Sequence, residues 1–80
     1  DLKINDTEFI FDAKMEVDMV NDKYNLDLPK SEEYETIAGL ILSLHEDIPK
    51  EGEKIIIENI TFIIDKRDEK SIKSVRLLLK

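Results

Sequence analysis

The side chains of this protein that could do chemistry are its carboxylates and its single histidine, and their spacing decides which could act together. His45 is followed directly by Glu46 and Asp47. Three consecutive residues near a helix end point in different directions and cannot all bind one metal ion. We therefore interpret His45 as a histidine near a helix C-terminus, where the helix dipole favours a positive charge.

Two aspartates form the other candidate metal site. Asp18 and Asp22 are four residues apart, so on a helix they would share one face and could bind a hard cation such as Mg²⁺. A solvated helix face has the same pattern, and that interpretation stays open. With two glycines the chain has no glycine-rich phosphate loop, and no serine or histidine stands in a nucleophile motif. We therefore predict no catalytic residues and no enzyme activity.

Composition excludes several classes of partner. The 80 residues carry 12 lysines and arginines against 19 aspartates and glutamates, a net charge of −7. That charge repels phosphate backbones and anionic headgroups, so nucleic acid is not expected as a partner. No apolar run approaches the roughly 20 residues that cross a bilayer, so we expect no direct membrane insertion by these residues. The length fits one domain, residues 1–80, and the absence of cysteine leaves no disulfide to support its core.

Two amphipathic helices are predicted in the first half of the chain. The first covers residues 17–24 in two turns, and the second runs from Ser31, whose hydroxyl would cap it, to about Glu46. Gly39 lies inside the second helix, where glycine costs roughly 1 kcal/mol relative to alanine, and it predicts the close approach of another backbone. The apolar stripe of the second helix consists of Ile37, Leu40, Ile41, Leu44 and Ile48.

Four segments have the pattern of β-strands, namely residues 8–12, 54–57, 60–65 and 72–79. Polar turns join the last three, with Gly52 before them available for a left-handed conformation and Asn59 able to tolerate positive φ. These three strands therefore predict an antiparallel meander. The fold class is α+β, with two helices packed on one face of a mostly antiparallel β-sheet in the order β-α-α-β-β-β.

The face of the sheet that the helices leave uncovered is the remaining candidate site. Along the last strand Arg76 and Leu78 point away from the core, and Ile63 or Ile56 joins them from the preceding strands. An apolar patch rimmed by charge often marks a protein contact, so Ile63, Arg76 and Leu78 form the predicted interaction surface. Scattered surface aliphatic residues are the ordinary alternative.

Several segments occur in an order that is similar to one known family. They are Leu26-Asp27-Leu28-Pro29, the run 34–42, Ile48-Pro49, Glu51-Gly52-Glu53, Phe62 and Ile72-Lys73-Ser74-Val75-Arg76. Over nearly the whole chain this order resembles the CorC/HlyC-type transporter-associated domain. The chain differs from that pattern at Asp12-Ala13-Lys14 and Glu58-Asn59, where glycine is common, and these differences affect turns rather than the core.

The resemblance implies a setting and a role. Domains of this kind stand at the C-terminus of longer membrane proteins, after a transmembrane domain and a pair of CBS domains, on the cytoplasmic face of the cell membrane. The family is linked to magnesium and cobalt efflux, some members are hemolysin-like, and the domain is treated as regulatory. The partners implied are the other domains of the same protein, or a second copy in a homodimer.

The resemblance also implies a fold similar to part of a flavin-binding domain, to which FAD binding is sometimes attached. Binding of FAD or an adenine nucleotide is thus an alternative function, and a divalent-cation sensor at Asp18 and Asp22 is a third. The acidic balance and the missing glycine-rich stretch argue against a bound dinucleotide. We therefore expect no cofactor.

Overall fold

A computed structural model describes residues 2–79, with Leu2 described by its backbone alone. Seven elements follow one another along the chain: β1 (Leu2–Asn5), β2 (Glu8–Asp12), α1 (Val17–Tyr24), α2 (Ile37–Leu44), β3 (Lys54–Ile57), β4 (Ile60–Arg67) and β5 (Ile72–Leu79). The strands form one sheet in the order β1-β2-β5-β4-β3, and every neighbouring pair is antiparallel. The predicted α+β class is confirmed, and β5 lies at the centre of the sheet.

Alternation along the strands places the core on one face of the sheet. Phe9 opposes Leu77 on one side of β5, and Phe62 opposes Leu77 on the other, so the three side chains form a buried row. The helices cover this row with buried aliphatic side chains, namely Val17, Val20, Ile37, Leu40 and Ile41. Each fully buried side chain of this size contributes about 1.5–3 kcal/mol, so this single face provides most of the apolar stabilisation.

Aromatic rings join α1 to β2. The rings of Phe9 and Phe11 are stacked with centroids 5.8 Å apart, as their spacing of two residues predicts. The Tyr24 ring packs against both, at 4.8 Å and 5.5 Å. This cluster holds the C-terminal end of α1 against the sheet.

β1 is a strand that the sequence pattern does not predict, so the observed order is β-β-α-α-β-β-β. It has four residues and a register shift between Lys3 and Asn5, which leaves too little alternation to be recognised. The Asn5 side chain accepts a hydrogen bond from the Thr7 backbone N–H at 2.8 Å, closing the turn into β2. β1 thereby covers an edge of β2 that would otherwise be open.

The predicted bounds of the second helix are wrong at its N-terminus. α2 begins at Ile37, because the Thr36 hydroxyl accepts a hydrogen bond from the Gly39 N–H at 3.1 Å and caps the helix. Ser31 instead accepts from the Glu33 N–H at 3.1 Å within a turn. The shorter helix ends at Leu44, which is 51% exposed and not part of the core as the stripe predicted.

An irregular segment, residues 25–36, therefore connects the two helices and is held from within the fold. The buried Asn21 side chain accepts from the Leu28 N–H at 2.8 Å and donates to the Leu28 carbonyl at 3.1 Å. The Tyr34 hydroxyl donates to the Pro29 carbonyl at 2.7 Å. These bonds satisfy backbone groups that a segment without regular structure would leave unpaired.

The turns before and between the last strands differ in one residue from the prediction. Gly52 has φ of 83°, as expected for a left-handed turn residue. In the two-residue turn between β3 and β4, however, positive φ falls on Glu58, at 52°, and not on Asn59.

In the next turn the backbone N–H groups of Lys70 and Ser71, with the Lys73 ammonium, lower the pKa of Asp68 to about 2.

Candidate functional site

The strand register defines two rows of side chains on the face of the sheet opposite the helices. One row consists of Ile10, Arg76, Ile63 and Lys54, and the next consists of Glu8, Leu78, Thr61 and Ile56. Residues directly opposite one another in antiparallel strands point to the same side, so these eight share one surface. We call this surface the open face.

Four of the eight residues on the open face are large aliphatic residues, in a strongly charged chain. Ile56 is 71% exposed, and Ile10, Ile63 and Leu78 are half-buried by their neighbours in the sheet. Both helices contribute their buried residues to the core on the other face. An aliphatic patch of this kind gains free energy when a second surface covers it.

An ion pair crosses the middle of the open face. The Arg76 guanidinium donates from Nη1 to Glu8 Oε2 at 2.7 Å, across the diagonal between β5 and β2. The side chains are 41% and 23% exposed, so water still screens the pair, and its contribution to stability is about 0.2–1 kcal/mol. The guanidinium stands between Ile10 on one side and Ile63 on the other.

The three residues of the predicted interaction surface lie together on the open face. Ile63 opposes Arg76 directly, and Leu78 follows two residues later on β5. Sequence reasoning missed Glu8 and Ile10, because the pairing of β2 with β5 joins residues almost 70 positions apart. The alternation of Glu8 and Ile10 with Phe9 and Phe11 is the signal that could have placed them opposite the core. That any of these residues contacts a partner stays a prediction.

The aspartates predicted as metal ligands are placed as ordinary surface residues. Asp18 forms an ion pair with Lys30 at 3.1 Å, and both side chains are about two-thirds exposed, at 68% and 66%. Asp22 is exposed on α1. Across residues 2–79 no three histidine, cysteine or acidic side chains come together as a metal site. Two carboxylates alone fall short of the six oxygen ligands of Mg²⁺, so a metal role for Asp18 and Asp22 stays a prediction.

Asp18 and Lys30 also line a cleft of about 450 Å³ between the start of α1 and the irregular segment. Its walls are formed mainly by polar and acidic side chains, including Glu16, Glu32 and Glu35. The sequence does not predict this cleft, since its two sides are some 15 positions apart. It is open to solvent, and the Lys30–Asp18 pair partly balances its charge.

His45 holds a loop together. It is the C-cap of α2, its Nδ1 donates to the Asp47 carbonyl at 2.6 Å, and its Nε2 lies 2.6 Å from Glu53 Oε2. Both ring nitrogens therefore face acceptors, and these hydrogen bonds, that to Asp47 first, raise the pKa of His45. The Lys50 N–H and then His45 lower the pKa of Glu53. In the protonated form both ring nitrogens carry hydrogens, and that form has no lone pair left for a metal.

Comparison with known proteins places the fold in a family. The family model described as the transporter-associated domain, CorC_HlyC, matches residues 2–80. This chain belongs to the CorC_HlyC family.

Relatives of this CorC_HlyC domain are found within longer proteins. A Rickettsia canadensis protein named "Possible hemolysin C" is 32% identical over 78 residues, which cover 96% of this chain and 26% of that protein. The chain thus spans about a quarter of the length of the curated relatives it matches.

Solved structures share the fold of the CorC_HlyC domain. One from Neisseria meningitidis, described as a region associated with a Mg²⁺ and Co²⁺ transporter (CorC), has a TM-score of 0.86 at 22% identity and covers 99% of this chain and 96% of that chain. One from a CBS domain protein of Porphyromonas gingivalis has a TM-score of 0.78 at 20% identity, covering 95% and 92%. Both of those chains consist almost entirely of this fold.

Neither helix of the CorC_HlyC domain, over the part of the chain described, has the length and apolar character needed to cross a bilayer.

Proposed function

We propose that this CorC_HlyC domain is a non-catalytic regulatory module of a membrane transporter and that it modulates the efflux of divalent cations such as magnesium and cobalt. The observation that carries the proposal is the open face, where Ile10, Ile63 and Leu78 surround the Arg76–Glu8 pair on the side of the sheet away from the helices. Membership of a transporter-associated family supplies the setting.

The regulatory step we propose is docking of the open face on another domain of the same protein, a transmembrane domain or a CBS pair, at the cytoplasmic face of the membrane. A domain that contacts one transporter state better than another shifts the equilibrium by the difference in contact free energy. Couplings of this kind are typically about 1–3 kcal/mol, which a few aliphatic side chains can supply. No bound cofactor is needed for this step.

The structure indicates which substitution places a new charge on the open face with the least repulsion. Leu78→Asp would put a carboxylate directly opposite Glu8, where like charges repel. Ile63→Asp would put it between Arg76 and Lys54, which are the residues opposite it on the two neighbouring strands. Ile63→Asp is therefore the better variant, and Met19→Asp, at a 57% exposed position on α1, is its matched control.

The experiment measures Mg²⁺ and Co²⁺ flux by the full-length protein reconstituted in lipid vesicles. We expect Ile63→Asp to change the flux several-fold, because it weakens docking, and Met19→Asp to leave the flux at the wild-type value. Equal flux for both variants and the wild type, at equal protein content, would reject the proposal.

A further inference from the structure

We propose that the surface covering the open face is a segment of the same, longer polypeptide that presents an aliphatic strip and a carboxylate, and that the carboxylate binds between Arg76 and Lys54. This inference rests on the proposed function and names the partner of the same site. Arg76, Ile63 and Lys54 form one continuous row across β5, β4 and β3.

The charges of that row favour a carboxylate partner. Within residues 2–79 Arg76 uses one N–H group, on Nη1, for Glu8, and Lys54 forms no ion pair. A guanidinium presents five N–H donors in a planar fork that fits a carboxylate, so donors remain for a second acceptor. In the adjacent row Ser74 is opposed by Asp12 on one side and by Lys66 on the other, and its hydroxyl donates to Asp65 at 2.9 Å. That row carries two carboxylates of its own, so the row that contains Ile63 is the better site for a partner's carboxylate.

The aliphatic side chains of the open face determine which apolar groups a partner must present. Ile63 lies between the two cations, and Leu78 and Ile56 lie in the next row. A partner must therefore place apolar side chains within one strand spacing of its carboxylate, roughly 5 Å. An amphipathic segment with an acidic residue beside its apolar strip has this pattern.

Charge argues against a second copy of this chain as the occupant. A two-fold contact whose axis passes through this row would bring the Arg76 and Lys54 of one copy against the same row of the other. Each copy would also carry a net charge of −7. Like charges oppose this contact both locally and over the whole surface.

The small area of the face argues for a tethered occupant. Four strands about 4.8 Å apart, with some five residues each, give an open face on the order of 300 Å². Two such faces bury well under the roughly 1,200 Å² of a stable interface between free proteins. A segment of the same polypeptide has an effective concentration in the millimolar range and can occupy a face of this size. The curated relatives, of which this chain spans 26%, have the additional length for such a segment.

Cysteine labelling tests the inference, because these 80 residues contain no cysteine. Thr61→Cys places a thiol on the open face, and Met19→Cys places one on α1 as the control. Maleimide labelling of each is timed in the full-length protein and in the isolated 80-residue chain, with the labelled peptide identified by mass spectrometry. We expect labelling at residue 61 to be at least tenfold slower in the full-length protein and labelling at residue 19 to be equal in both.

Two further substitutions test the role of the carboxylate. Arg76→Gln and Lys54→Glu are each added to Thr61→Cys in the full-length protein, with Lys14→Glu as the control at an exposed lysine outside the open face. We expect the first two to restore at least half of the lost labelling rate and the control to leave it unchanged. Arg76→Gln removes the Arg76–Glu8 ion pair and could disturb folding for that reason. Lys54 is exposed on the edge strand β3, so Lys54→Glu still tests the role of the carboxylate in that case.

Three outcomes would overturn the inference. Equal labelling of residue 61 in both proteins shows that no tethered segment covers the face. Concentration-dependent protection in the isolated chain, together with a dimer in sedimentation, assigns the face to a second copy. If residue 61 stays protected from labelling in both charge variants, the partner does not bind through a carboxylate. Protection with an unchanged ion flux in Ile63→Asp would instead reject the proposed function and leave this inference standing.

Discussion

Gly39 lies so close to Tyr34 that a Cβ atom at residue 39 would stand 2.8 Å from the Tyr34 Cβ and 3.4 Å from the Thr36 hydroxyl oxygen. A close approach is therefore present, as a glycine inside a helix predicts, but the nearest atom belongs to the Tyr34 side chain in the segment that leads into α2 and not to another backbone. The same hydroxyl caps the helix through the Gly39 N–H. The start of α2 thus depends on a residue without a side chain.

Replacing Gly39 by alanine should therefore destabilise the fold. Alanine raises helix propensity by roughly 1 kcal/mol, but a contact under 3.0 Å forces the Tyr34 segment to move, and overpacking costs about 1–3 kcal/mol. We expect a net loss of about 1–2 kcal/mol in the free energy of unfolding, measured by urea titration. Ser43→Ala, at an exposed position of the same helix, should change it by less than about 0.5 kcal/mol. A more stable Gly39→Ala protein would contradict the close contact.

Asn21 should be the most sensitive polar residue of the helical layer. Its amide group satisfies both the N–H and the carbonyl of Leu28 inside the protein. Asn21→Ala leaves both backbone groups buried without partners, at a cost of about 1–3 kcal/mol for each group. We expect a loss of about 2–4 kcal/mol in unfolding free energy and faster amide exchange at Leu28. Asp22→Ala, at an exposed position of the same helix, is the comparison, and equal losses for the two variants would refute this role.

The His45–Glu53 pair should stabilise the protein most between about pH 4.5 and 6.5. Because the pKa of His45 is raised in the folded protein, the stabilisation from His45 is fully present below pH 6.5, its ordinary pKa. That stabilisation is lost as the pH rises through the pKa of His45 in the folded protein. The lowered pKa of Glu53 means that its contribution is complete above 4.5 and is lost as pH falls. His45→Gln should therefore reduce unfolding free energy more at pH 5.5 than at pH 8.5. A difference that does not vary with pH would show that His45 is uncharged in the fold.

Neither FAD nor ATP should bind the isolated domain. Gly39 is packed against Tyr34 and Gly52 forms a turn, so neither glycine belongs to a loop that could surround a phosphate. Calorimetric titration with either ligand at millimolar concentration should give no binding heat. A saturable heat would establish the nucleotide alternative, and loss of that heat on substitution would then locate its site.

Mg²⁺ and Co²⁺ should leave the melting temperature of the isolated domain unchanged. Asp18 forms an ion pair with Lys30, and residues 2–79 contain no third histidine, cysteine or acidic side chain that could bind a cation together with Asp18 and Asp22. A cation that binds the folded state must raise its stability. An increase in melting temperature that Asp18→Asn and Asp22→Asn abolish, while Asp6→Asn does not, would instead support a cation sensor on α1.

Some parts of the fold are encoded locally and were predicted to the residue. The bounds of β2, α1, β3 and β5 agree with the alternation and the helical stripe. The start of α2 was not predicted, since Ser31 and Thr36 both have the chemistry of a cap and only packing decides between them. β1 is stabilised by its pairing with β2, and four residues carry too little pattern to show it.

The chain by itself determined the α+β class, the acidic charge, the family and three residues of the open face, because alternation and composition are properties of neighbouring residues. Only the tertiary structure decided that Glu8 meets Arg76, that Asn21 holds Leu28 and that His45 meets Glu53. Glu8 and Arg76 are 68 positions apart, and their contact depends on strand register. The other two pairs are seven and eight positions apart, and their contacts depend on the path of an irregular loop. Local pattern contains no information about either.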